Sequence, residues 1–282
     1  MTAGPAPVPA SPVRFPTVAL VAGGSSGIGA AVARTLAARG SVVALVGRRP
    51  RELTSVAAGI RTDGGIALPI PLDLAADGGP EEAVARTEDM LGPVELLVCS
   101  AGAIRLADVH ETEPRHWELQ LRVNVTVPFL LARRVLPGMR ERGRGWIVTI
   151  GSGVGCETVP GSGAYGVSKH ALNRLTALIH EENRDLGVRA VTVSPGWVAT
   201  RLAARPADLG VNSEVVLTPE DIADTVEWLV DRPARMSVGP LIRVEAAARH
   251  ADAAAAMTQH VGARCPRTAA PGAVTTVPRE EG

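Results

Sequence analysis

Aromatic residues are nearly missing from this chain. Phe, Trp and Tyr together make up 2% of its 282 residues, so the core has to be aliphatic, packed from Val, Leu, Ile and abundant Ala. An excess of either charge is also missing. Twenty-nine basic side chains balance twenty-nine acidic ones, which removes the electrostatic footprint expected of a protein whose main partner is nucleic acid or an anionic membrane. Cysteine is scarce and odd in number: Cys99, Cys156 and Cys265 lie far apart. That argues against a disulfide scaffold and fits a reducing, cytoplasmic setting. None of His110, His116, His170, His180, His250 and His260 forms a pair at zinc-motif spacing, so no metal site is expected.

Long hydrophobic runs are lacking as well. No charge falls between Arg14 and Arg34, but Gly23, Gly24, Ser25, Ser26, Gly27 and Gly29 interrupt that stretch and forbid a membrane span. The first sixteen residues hold five prolines and no apolar segment, which reads as a flexible arm and not a signal peptide.

What is present is a globular composition, 46% hydrophobic and 21% charged, long enough for one α/β domain. Short apolar runs at 18–22, 42–46, 66–70, 96–99, 147–150, 190–193 and 241–244 read as strands. They do not alternate apolar with polar, which is how strands covered on both faces of a parallel sheet appear. Between them, 27–39, 51–60, 80–91, 114–141, 163–186 and 219–230 carry apolar positions at helical intervals with charged faces opposite. Alternating strand and helix predict a single doubly wound, Rossmann-type α/β domain with a mostly parallel seven-stranded sheet over 17–245. Beyond it, 246–257 is Ala-rich and 262–282 is aperiodic, a tail expected to be disordered.

The first strand runs into Gly23-Gly24-Ser25-Ser26-Gly27-Ile28-Gly29. Glycines there let the backbone turn sharply and admit a pyrophosphate to a helix N-terminus, where N–H groups and the helix dipole meet its charge. An NAD site of this kind places an acidic residue at the end of the second strand to hold the ribose hydroxyls. Here the strand ends Val46-Gly47-Arg48-Arg49, with no acid before Glu52. Arg48, with Arg49 beside it, instead offers a guanidinium fork to a 2′-phosphate and predicts NADP(H).

Tyr165 is the only tyrosine and Lys169 the only lysine, against twenty-eight arginines, and they lie four positions apart. On a helix both side chains share one face. A phenol titrates near 10, and lowering it by about three units requires roughly 4 kcal/mol of differential stabilisation, much of which an ammonium one turn away is placed to supply.

With these motifs in place the chain resembles the short-chain dehydrogenase/reductase family over 17–245. Gly23, Gly27 and Gly29 match its Gly-x-x-x-Gly-x-Gly, and Tyr165-Gly166-Val167-Ser168-Lys169 its Tyr-x-x-x-Lys. The resemblance implies Ser152 as the substrate-orienting serine and Asn124, in Arg122-Val123-Asn124-Val125, as the asparagine that holds a relay water. It implies Asp73 at the adenine, Ala101 and Gly102 after the fourth strand, and Pro195, Gly196, Val198 and Thr200 around the nicotinamide, with Ser25, Ser26 and Ile28 in the glycine turn. The chain departs from the pattern at Ala22, where the family has Thr, and in Cys99-Ser100-Ala101-Gly102, where it has Asn-Asn-Ala-Gly.

The activity implied is NADPH-dependent reduction of a small to medium ketone, or its reversal as alcohol oxidation, with Tyr165 as general acid/base. Val154, Cys156, Val159, Trp197 and Leu202 outline an apolar substrate pocket. Family members commonly pair through long helices, here around 114–141 and 163–186, so a homodimer or homotetramer is expected. The competing reading is a non-catalytic NADP(H)-responsive protein on the same fold.

Overall fold

The computed structural model describes residues 15–200, 216–233 and 236–246. Residues 1–14 of the N-terminal arm, residues 247–282 of the C-terminal tail and Leu202 lie outside the described residues, while Phe15 and Ala246 pack against the core. Seven parallel strands form one sheet: β1 (Val18–Ala22), β2 (Val42–Gly47), β3 (Ile66–Pro71), β4 (Leu96–Cys99), β5 (Gly145–Ile150), β6 (Val188–Pro195) and β7 (Leu241–Val244). Their spatial order is β3-β2-β1-β4-β5-β6-β7. Sequence order reverses between β1 and β4, and a crevice for ligand opens beyond the carboxyl ends of the strands at such a switch point.

Successive strand residues face opposite sides, so each strand feeds two cores. Ala19, Val21, Val43, Leu45, Leu96 and Val98 pack on one face with α1 (Gly27–Ala38), α2 (Pro50–Thr62) and α7 (Pro219–Val230). Leu20, Ala22, Ala44, Val46, Leu97 and Cys99 pack on the other with α3 (Gly79–Leu91), α5 (Val127–Glu141) and α6 (Gly163–Asn183). These strands have no solvent face, which is why their sequences show no alternation.

The predicted helix over 114–141 is not uniform. α4 (Pro114–Leu121) passes into one π-helical turn, Arg122–Thr126, before α5 continues. Pro128 supplies a local reason: it has no N–H for the carbonyl of Asn124 four residues earlier, and its ring would press on that carbonyl in a regular α-helix. A widened turn relieves both problems.

Three buried threonines tie α6 to the sheet. Thr176 Oγ1 donates to Leu172 O at 2.9 Å, and Thr149 Oγ1 lies 2.9 Å from both Thr176 Oγ1 and Thr192 Oγ1. Each hydroxyl has one hydrogen, so the chain has one direction, from Thr192 through Thr149 to Thr176.

Candidate active site

A cleft of about 440 Å³ opens at the switch point, between the glycine turn, the end of β2, the turn after β3 and the segment after β4. Of the residues expected to hold a cofactor, Gly23, Ser25, Ser26, Gly27, Ile28, Arg48, Arg49, Asp73, Ala101, Gly102 and Thr200 line it. Gly23 has φ +89°, and a Cβ there would lie 2.5 Å from Ala101 N. Gly29 does not line the cleft: a Cβ on it would sit 2.4 Å from Gly23 O, so this glycine serves the close packing of turn on helix.

Ser26 occupies the N-cap of α1 without capping it, and the first turn holds no acidic residue. Its hydroxyl instead accepts from Arg49 Nη2 at 2.6 Å, and Ser25 Oγ accepts from the same nitrogen at 2.8 Å. The α1 N–H groups therefore stay available to an anion, with a guanidinium held beside them. The sequence had put Arg48 first. Arg48 is exposed at the rim, whereas Arg49 reaches into the glycine turn. This donor set fits a dinucleotide carrying an additional phosphate on its ribose.

Tyr165, Lys169 and Ser152 converge at the carboxyl end of β5. Ser152 follows the strand in extended conformation, and α6 carries the other two, both buried. Lys169 Nζ donates to Ile150 O at 2.7 Å and lies 5.8 Å from the centre of the Tyr165 ring. Burial pulls the ammonium down from 10.5 to about 8, with nearby Cys99 acting in the opposite direction. For Tyr165 the structure corrects the expected acidity. Burial raises the phenol above its ordinary 10.0, and only the hydrogen bond from Ser152 works against this. Four-residue spacing brought Tyr165 and Lys169 onto one face, but the cost of removing both from water dominates.

Asn124 is fully buried in the π turn. Its Oδ1 accepts from Ala103 N at 2.8 Å, and its Nδ2 donates to Ala103 O and Ser168 Oγ, each at 2.9 Å. Both N–H donors are thus spent on protein, so the side chain positions and does not hand a proton to water. Ser168 Oγ in turn donates to Tyr165 O at 2.8 Å.

The proposed substrate-pocket residues are less uniform. Val154 is buried, and the Cys156 thiol turns to Ser194 Oγ at 3.4 Å and Asn173 Nδ2 at 3.8 Å. Val159 and Trp197 are partly exposed, and Trp197 Nε1 is buried without a hydrogen-bond partner. Pro195 ends β6, Gly196 is exposed, and Val198 packs into the first core. Residues that the sequence reading passed over also matter: Gly47, Ala75, Ala103 and Val123 line the cleft. Ser168 and Arg122 were legible only as neighbours of the motif residues.

Residues 17–208 match the short chain dehydrogenase family. An uncharacterized oxidoreductase of Staphylococcus saprophyticus is 33% identical over 222 residues, covering 78% of this chain and 94% of that protein. Among solved structures, a metagenomic short-chain oxidoreductase in complex with NADP is 31% identical with a TM-score of 0.71, covering 81% of this chain and 96% of the other. A variant of actinorhodin polyketide ketoreductase with NADPH is 28% identical with a TM-score of 0.76, covering 82% and 96%.

Proposed function

This chain belongs to the short-chain dehydrogenase family, and we propose that it is an NADPH-dependent carbonyl reductase whose catalytic unit spans 17–245. The observation that carries the reading is the convergence of Ser152 and Tyr165 at the end of β5, with a buried Lys169 one helical turn from the phenol. Arg49, already bonded to Ser25 and Ser26, is the residue that supports NADPH over NADH, and relatives of the fold are solved with NADP and NADPH.

When bound, the reduced nicotinamide supplies a hydride to the substrate's carbonyl carbon. The chain's own residues handle the oxygen. Ser152 Oγ donates to it and fixes its position. Tyr165 Oη delivers a proton as alkoxide charge develops. A phenol raised above 10 by burial stays protonated throughout the neutral range, the state that reduction needs. Lys169 provides the buried positive charge next to that proton, and is placed to meet a ribose hydroxyl. Asn124 holds the π turn against Ser168 and so sets the height of the catalytic helix. A relay water falls to the Asn124 main-chain carbonyl, which Pro128 leaves without an α-helical donor.

The same reading includes a homodimer. Phe129, Leu136, Leu175 and Leu178 line an apolar groove between α5 and α6, edged by Arg133 and Arg140 on one helix and Glu182 on the other. A two-fold arrangement sets the Arg edge of each copy against the Glu edge of its partner.

The test is oxidation of NADPH in the presence of a panel of small ketones, diketones and aldehydes. Turnover with at least one carbonyl is expected. Tight NADPH binding without turnover on any of them would transfer support to a non-catalytic, cofactor-responsive role.

A further inference from the structure

We infer that Arg122 is a positioning residue for the adenosine end of the cofactor, clipping the cleft wall after β3 to the π turn that carries Asn124. The inference rests on the NADP(H) reading above. Arg122 Nε donates to Ala75 O at 3.0 Å, and Nη2 donates to Ala76 O at 3.4 Å and Asp77 Oδ1 at 3.0 Å. These acceptors lie more than forty residues earlier in the chain. Ala75 on one side of the clip and Val123, the residue after Arg122, both line the cleft. A single side chain therefore fixes the distance between two walls of the cavity.

The turn it holds behaves as a unit. Asp73 Oδ1 accepts from Ala75 N at 3.0 Å, and Asp73 O accepts from Ala76 N at 3.2 Å. On the far side, the π turn continues through Asn124 and Ser168 to the backbone of Tyr165. Hydrogen bonds thus run from the adenosine wall to the helix bearing the general acid.

The two carbonyl contacts do most of the holding. Asp77 is fully exposed, and an ion pair to such a side chain contributes little in water. A guanidinium fork can serve Ala75 and Ala76 together, which a single ammonium does poorly.

The experiment measures dissociation constants of NADPH and of 2′,5′-ADP, which carries only the adenosine half, by calorimetry on the full chain. Arg122→Ala is expected to weaken both ligands by the same factor, about tenfold, with the KM for NADPH rising by a larger factor than kcat falls. Asp77→Ala should leave both affinities unchanged, and Arg122→Lys should fall between. An Arg122→Ala protein that binds 2′,5′-ADP as tightly as wild type overturns the inference, as does Asp77→Ala reproducing the loss. Should the Ala variant fail to fold, Arg122→Lys decides: weaker binding at an unchanged melting temperature supports the clip, and unchanged binding refutes it. A wild-type protein that binds neither ligand would refute the cofactor reading itself, and the clip with it.

Discussion

Lys169 places its ammonium 2.7 Å from the carbonyl oxygen of Ile150, at the strand end from which Ser152 follows. The bond anchors the cation to the sheet, so its position relative to Tyr165 does not depend on the long side chain's own rotamer preferences. With both groups buried, the cation and the phenol are neutralised toward their uncharged forms, and that has consequences for pH.

The cofactor-free protein should become more stable as pH rises from about 8 toward 9. Folding lowers Lys169 to about 8 from 10.5, so in this window the unfolded chain binds more protons than the native one and stability increases with pH. Between about 9 and 10.5 the rise levels off, because Cys99 is held protonated up to about 12 in the fold while an unfolded thiol ionises from 9.0; above 10.5 the unfolded Lys169 loses its proton as well and stability falls. Melting curves across this range should show the rise disappear in Lys169→Met and the fall weaken in Cys99→Ala.

Replacing Tyr165 with Phe removes the proton donor and leaves the cofactor cleft untouched, since Tyr165 does not line it. Turnover should fall by roughly 10²–10⁴, while the dissociation constant for NADPH changes by less than about twofold. Stopped-flow hydride transfer and equilibrium binding separate these two outcomes.

Arg49→Ala should selectively damage NADPH. Losing a charge-assisted contact costs about 1.5–3 kcal/mol, roughly ten- to a hundredfold in affinity. Affinity for NADH should hardly move, and Arg48→Ala should have the smaller effect on both. Paired titrations with the two nucleotides decide it, and equal losses for NADPH and NADH would remove the phosphate assignment.

Leu178→Glu should yield a monomer on size-exclusion chromatography. Leu178 is 48% exposed in the isolated chain, so the monomer tolerates the carboxylate, whereas an apolar interface does not. Retention of the wild-type elution volume would move the interface away from α5 and α6.

The sheet was legible in the sequence because strands covered on both sides are written as uninterrupted apolar runs. All seven appear within two residues of their expected ends, and β7 is matched from Leu241 to Val244. The glycine turn was legible for a similar reason: Gly23 and Gly29 stand where a Cβ has no room. Spacing gave less where the outcome depended on direction or burial. It placed two arginines after β2 without telling which one turns inward. It joined Tyr165 to Lys169 on one helix face but could not weigh that attraction against desolvation. The π turn needed the consequence of Pro128 four residues after Asn124, and the Arg122 clip links segments whose proximity exists only after folding.

The one-way row of threonine hydroxyls beneath α6 indexes the catalytic helix as teeth index a gear. Thr149 can offer its only hydrogen to Thr176, and Thr192 its own to Thr149, in a single setting of helix against strands. Sliding the helix by one turn would strand a hydroxyl in a dry interior, at about 1–3 kcal/mol for each lost partner. The elevation of the phenol above the strand ends is therefore a property of the interior, fixed before any ligand arrives.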